Sequence, residues 1–214
     1  MSFADTMARL FGHVCPGMSH YDRKVIEFAF ALNKPNRPML VGDSITEAWS
    51  TTNIMHPFVT NYGISGDTTV GVLNRINQII NAKPNVIFLN IGINDLQFGL
   101  GNTLIERYTQ IITLLKLNKI EVYCCAIRPV NNFMPQGNRV FNDFIININE
   151  AISCKAKENG CIYVPETFNI HFNDAFRQMY STHSTDGLHL SPLGYEEEYK
   201  VLWPFIEKYI YTYA

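Results

Sequence analysis

The feature that most constrains this chain is an alternation. Short apolar runs, each stopped by a turn residue, are separated by segments whose apolar residues recur at helical spacing. The runs are Pro38 to Val41 before Gly42, Phe58 to Tyr62 before Gly63, Val86 to Ile91 before Gly92, Ile120 to Ile127 before Arg128-Pro129, and Cys161 to Val164 before Pro165. Each reads as a strand. Between them, Val72, Leu73, Ile76, Ile79 and Ile80 form one helical stripe. Leu104, Tyr108, Ile111, Ile112 and Leu115 form a second, opened by the capping box Thr103-x-x-Glu106. Phe141, Phe144, Ile145, Ile148 and Ile152 form a third, closed by Lys155, Lys157 and Gly160. A leading helix around Arg23 to Leu32 and a last one after Ser191, kinked or divided at Pro204, complete the set.

Strands that are apolar throughout, rather than at every second residue, belong in a sheet covered on both faces. The expected fold is therefore α/β, a doubly wound three-layer sandwich on a parallel five-stranded sheet. With 214 residues and no repeat, low-complexity tract or linker, residues 1–214 read as a single domain. The net charge is -2, hydrophobic residues make up 47% and charged residues 17%, which exclude an acidic tail and a basic nucleic-acid arm and argue against a disordered chain. No nucleic-acid partner and no stable membrane association are expected, since no apolar stretch approaches the roughly 20 residues of a spanning helix. The start Met1-Ser2-Phe3-Ala4-Asp5 places an acid where a secretory signal would be basic, and the five cysteines are an odd number, so a reducing, cytoplasmic setting is expected. Cys124 and Cys125 are neighbours in an apolar run, so they should point to opposite faces of one strand as core filler.

Ligands of such sheets bind beyond the carboxyl ends of the strands. The residues there are Gly42-Asp43-Ser44-Ile45, Ser65-Gly66-Asp67-Thr68, Gly92-Ile93-Asn94-Asp95 and Asp186-Gly187-Leu188-His189. Singly, each is an ordinary turn or helix cap. Together they supply what acyl transfer requires. Ser44 at a strand-to-helix junction is a candidate nucleophile, and its N–H, with the Gly66 N–H and the Asn94 amide, can face a developing oxyanion. His189, three residues after Asp186, can present Nε2 to Ser44 while the carboxylate holds Nδ1–H.

These four ordered blocks resemble those of the SGNH (GDSL-type) hydrolase family of esterases, lipases, thioesterases and carbohydrate deacetylases, over about Val41 to Gly194. The resemblance implies a flavodoxin-like strand order 2-1-3-4-5, Ser44, Asp186 and His189 as the catalytic triad, and Ser44, Gly66 and Asn94 as the oxyanion hole. Block one ends in Ile45 where the commoner family string has Leu, outside the catalytic atoms. It further implies hydrolysis of a small-molecule acyl ester through an acyl-enzyme, with no cofactor and no metal. A thioesterase or lysophospholipase-type activity is the alternative within the family. The compact chain, with no obvious inserted lid domain, points to a short acyl group, such as acetyl on a carbohydrate or lipid.

Asp43, Phe133, Met134 and His183 are candidate substrate contacts, the middle two in an irregular segment, Arg128 to Gly137, after the fourth strand. Two rivals stand beside the esterase. His183-x-x-Asp186-x-x-His189 spaces three possible ligands of a metal hydrolase, although Gly187 disfavours the helix that would align them. Ser65-Gly66-Asp67-Thr68-Thr69 opens a helix and could cradle a nucleotide or flavin phosphate, although Asp67 would repel the anion. Tyr195, Tyr199, Trp203, Ile206 and Tyr213 lie at helical spacing and should pack on the sheet, and Glu196 to Glu198 read as a solvated helix face. Oligomeric state leaves no signal in the sequence.

Overall fold

Five strands, β1 (Pro38–Gly42), β2 (Thr60–Gly63), β3 (Val86–Asn90), β4 (Glu121–Cys125) and β5 (Ile162–Val164), run parallel in the order β2-β1-β3-β4-β5. They come from a computed structural model that describes residues 18–31, 35–131 and 141–210. β1 and β3 are buried along their whole length, as sheet centres covered on both faces must be. Among the described residues the α-helices are α1 (His20–Phe30), α2 (Ser44–Ala48), α3 (Thr69–Asn74), α4 (Ile76–Asn81), α5 (Ile93–Gln97), α6 (Leu104–Leu117), α7 (Asn142–Glu158), α8 (Glu166–Asn169) and α9 (Pro192–Ile210).

One face of the sheet presents Met39, Val41, Ile87, Leu89, Val122 and Cys124 to α1, α3, α4, α6 and α7. The other presents Leu40, Val86, Phe88, Tyr123 and Cys125 to α2 and α9. Cys124 and Cys125 thus fall on opposite faces, as the two-residue period of a strand demands. Tyr195 and Ile206 are buried against the second face, with Tyr199 and Trp203 packed beside them, and Tyr213 lies outside the described residues. The chain steps from β1 outward to β2 and then back past β1 to β3. That reversal opens the crevice between the carboxyl ends of β1 and β3.

Several local expectations are corrected. Thr103 makes no side-chain cap to α6; its hydroxyl is taken by the Arg107 guanidinium. The stripe from Val72 to Ile80 is two short helices, because Arg75 leaves helical geometry where its guanidinium bonds Asp67 and the Tyr62 carbonyl. α9 is a single helix rather than two divided at Pro204, which sits on its exposed side, where the carbonyl freed four residues earlier can reach water. On α7 the buried phase is Ile145, Ile148, Ile152 and Ala156, which leaves Phe141 and Phe144 exposed near its start. Between β5 and α9 the chain forms α8 and the small antiparallel pair β6 (Phe172–Asn173) and β7 (Gln178–Met179).

Candidate active site

β1 ends in Gly42, and the junction that follows tolerates no larger residue. A Cβ there would lie 2.1 Å from Thr46 Oγ1 and 2.3 Å from the Asn90 carbonyl oxygen. Asp43 then caps α2 by accepting the Ile45 N–H at 3.0 Å, which starts the helix at Ser44. Tyr195 of α9 holds the same turn from below, donating its hydroxyl to the Ile45 carbonyl at 2.8 Å.

Ser44 Oγ lies 2.9 Å from His189 Nε2, and His189 Nδ1 lies 2.7 Å from Asp186 Oδ2. A carboxylate only accepts, so Nδ1 carries the proton and Nε2 is left to accept the serine hydroxyl. Asp186 Oδ1 also accepts the N–H groups of Leu188 at 3.0 Å and His189 at 2.8 Å. Burial pushes the Asp186 carboxyl up, but these hydrogen bonds and the imidazole outweigh it and hold the group below its ordinary range. The loop that carries both residues is closed on itself. Thr185 N–H and Ser184 Oγ donate to the His189 carbonyl, and Ser184 Oγ accepts the Gly187 N–H.

Beyond β2, Asp67 N–H returns to the Ile64 carbonyl at 3.0 Å in a turn whose third residue, Gly66, has φ +78°. Nothing stands within 4 Å of where a Gly66 side chain would begin, so its peptide borders open space. The N–H groups of Ser44 and Gly66 have no acceptor among the described residues. Beyond β3, buried Asn94 donates from its side chain to the Asp67 carbonyl at 2.8 Å. The five residues read as triad and oxyanion donors therefore converge on one rim of the sheet. A cavity of ≈ 10 Å³ is lined by Ile45, Ile93, Ile127, Pro129 and Leu188 together with the polar Asn90 and Arg128, and by none of the five themselves. Three of these lining residues are the immediate sequence neighbours of Ser44, Asn94 and His189.

Residues 40–197 match the sequence profile of the GDSL-like lipase/acylhydrolase family. The chain belongs to that family. As a GDSL-like hydrolase it acts on ester bonds. Its fold recurs in a GDSL-like lipase from Bacteroides thetaiotaomicron (25% identity, TM-score 0.77, covering 88% of this chain and 97% of that one). It recurs in a proposed acylhydrolase from Bacteroides fragilis (23%, 0.77, 87% and 95%) and in a catalytic mutant of an acetylxylan esterase from Geobacillus stearothermophilus (17%, 0.62, 82% and 96%). No curated protein sequence matches the chain.

The other candidate contacts of this GDSL-like hydrolase fare differently. Asp43 is a correction: it is 1% exposed, its Oδ1 is the helix cap and its Oδ2 is buried without a partner, so it lies beneath the site and cannot touch substrate. Burial raises its carboxyl to about 6, partly offset by the nearby Arg128 and the Ile45 N–H. His183 is engaged with His171, their Nδ1 atoms 3.1 Å apart, and does not join Asp186 and His189 in a ligand set. Among the described residues no group of three or more His, Cys, Asp or Glu could hold a metal ion. Asp67, at the turn that could have cradled a phosphate, is buried in an ion pair with Arg75, Nη2 to Oδ2 2.8 Å. Phe133 and Met134 lie outside the described residues.

The GDSL-like hydrolase also holds a buried polar chain that the sequence reading missed. Arg128, just past β4, makes paired hydrogen bonds to Glu198 and another to Asn90 Oδ1. Glu198 Oε2 meets His171 Nε2 at 3.1 Å, and His171 continues to His183. Glu198 is thus fully buried rather than solvated, and the Arg128 charge, opposing the cost of burial, holds it down to about 2. One signal was available: Glu198 falls between Tyr195 and Leu202 in the phase of α9's buried face.

Proposed function

We propose that this hydrolase is a serine esterase for small acyl esters, acetyl foremost, working through an acyl-enzyme. Ser44 Oγ attacks the ester carbonyl carbon as His189 Nε2 takes its proton. The carbonyl electron pair moves onto oxygen, where the N–H groups of Ser44 and Gly66 and the Asn94 amide receive it. When the pair returns, the alcohol leaves with the proton from His189. Water, deprotonated by the same nitrogen, then attacks the acyl-Ser44 ester and releases the carboxylic acid. Asp186 keeps the imidazole in the tautomer both halves need and stabilises its cationic form.

The observation that carries this reading is the unbroken hydrogen-bond path from Ser44 Oγ through His189 to Asp186. The short acyl group is supported by the small size, ≈ 10 Å³, of the cavity lined by Ile45, Ile93 and Leu188, the sequence neighbours of Ser44, Asn94 and His189. The acetylxylan esterase that shares the fold fits the same choice. No helix among the described residues is long and apolar enough to cross a membrane. The unpaired state of the described cysteines is what supports a cytoplasmic setting.

The test is turnover of p-nitrophenyl esters from two to sixteen carbons, with a matching thioester panel, by the wild type and Ser44→Ala. Fastest turnover of the acetyl ester, lost in the variant, is expected. Activity retained without the Ser44 hydroxyl would overturn the mechanism, and faster turnover of the longest chains would overturn the acyl assignment.

A further inference from the structure

Glu47 takes no part in the triad or the oxyanion hole, yet its carboxylate joins the two elements that carry them. It sits three residues after Ser44 on α2, and Oε2 accepts both the N–H of Ser65 at 2.6 Å and its hydroxyl at 2.7 Å. His20 Nε2 of α1 reaches the same carboxylate, 3.1 Å from Oε1 and 3.0 Å from Oε2, and Lys24 Nζ stands 3.9 Å from Oε1. Ser65 immediately precedes Gly66, whose N–H is open to the rim. On the far side of the same turn the Asp67 carbonyl is held by Asn94. The turn is therefore tied at both ends, on one side to the helix of Ser44 and on the other to Asn94, itself a candidate oxyanion donor.

We propose that Glu47 is a positioning residue of the ester hydrolysis: by clamping Ser65 to the nucleophile's own helix, it sets where the Gly66 N–H stands relative to Ser44 Oγ. The inference rests on the proposed roles of Ser44 and Gly66. A carboxylate suits the task because it is an acceptor only and can take several donors at once, and hydrogen bonds to it are short and charge-assisted. Burial raises the Glu47 carboxyl, but the Ser65 hydroxyl, His20 and the Ser65 N–H together bring it below its ordinary range, so it stays ionised where the enzyme works. The placement matters because an oxyanion donor contributes only when it is aimed at where the charge develops. A displacement of about 1 Å at a reacting centre can cost on the order of 10²-fold in rate.

The experiment compares wild type, Glu47→Gln and Glu47→Ala on p-nitrophenyl acetate, together with inactivation by a small alkyl phosphonate that mimics the tetrahedral intermediate. Glu47→Ala should lower kcat by about 10- to 100-fold with KM within about twofold, and slow inactivation in parallel. Glu47→Gln, whose amide oxygen can still accept from Ser65, should fall between the two. Ser65→Ala should add less in the Glu47→Ala background than alone, because both act through one contact. A merely structural role would lower the melting temperature and leave kcat of the folded fraction unchanged, and that result would overturn the proposal. So would a change confined to KM. A wild type without Ser44-dependent esterase activity would instead sink the esterase reading, whereas an active wild type with fully active Glu47 variants sinks only this inference.

Discussion

The side-chain amide of Asn94 donates a 2.8 Å hydrogen bond to the main-chain carbonyl of Asp67. The two candidate oxyanion elements, one beyond β2 and one beyond β3, are thereby linked to each other as well as to the crevice. Asn94→Ala should lower kcat by about 10² to 10³-fold. Because the Asp67 carbonyl also loses a donor, the variant should be about 1 kcal/mol less stable than wild type. Steady-state kinetics with a denaturant titration on the same preparation check both. Unchanged turnover would remove Asn94 from the mechanism, whatever the stability.

The proposed short-acyl preference gives a selectivity test at the small cavity. Ile127 is buried and lines this cavity, so a shorter side chain there enlarges it. Ile127→Ala should raise the ratio of butyryl to acetyl turnover by about 10-fold or more, since one methylene in an apolar pocket is worth about 1–3 kcal/mol of discrimination. Truncating a buried isoleucine costs about 2–5 kcal/mol, so Ile127→Val provides a milder step in the same direction. Chain-length profiles identical to wild type in both variants would place the acyl group elsewhere.

The buried pair of Arg128 and Glu198 gives a stability test. Glu198→Ala leaves the guanidinium buried without its counter-charge and should cost about 3–5 kcal/mol. Adding Arg128→Met should recover part of that loss. Urea unfolding of the three proteins reads it directly. A cost below about 1 kcal/mol for Glu198→Ala is what an exposed glutamate would give, and would contradict its place in the core.

Asp43 predicts a pH dependence of opposite sign to that of an ordinary salt-bridged carboxylate. Burial raises its carboxyl from 3.8 to about 6, so the folded chain holds this proton more tightly than the unfolded chain. Its stabilising contribution is therefore present at low pH and is lost as pH rises from 3.8 to about 6. Asp43→Asn keeps a good helix cap without the charge. Its stability relative to wild type should accordingly rise by about 2–3 kcal/mol between about pH 4 and pH 7. Parallel stability curves for the two proteins would mean that the Asp43 carboxyl is not perturbed.

Where a residue's role follows from its own segment, it was legible before any coordinates. Ser44 could be placed at a helix start because a strand, a glycine and an aspartate cap precede it. Asp43 shows the limit of the same reading: it was a candidate substrate contact, but its carboxylate turns inward to cap α2 and is buried. Thr103 failed for a related reason. Its spacing to Glu106 matched a capping box, yet Arg107, one turn along the same helix, competes for the hydroxyl and wins.

Sequence alone determined the sheet order, through the resemblance, and the four blocks at its rim, because strand and helix periods are local and a parallel sheet brings the ends of all its strands to one side. Tertiary structure decided which polar groups meet beneath that rim. Glu198 finds Arg128 across 70 residues, His171 finds His183, and Glu47 finds Ser65 only once α2, α9 and the loops around them are docked. A buried charge is stable only against a specific partner, and such partners are chosen by packing between distant segments, which no local pattern records.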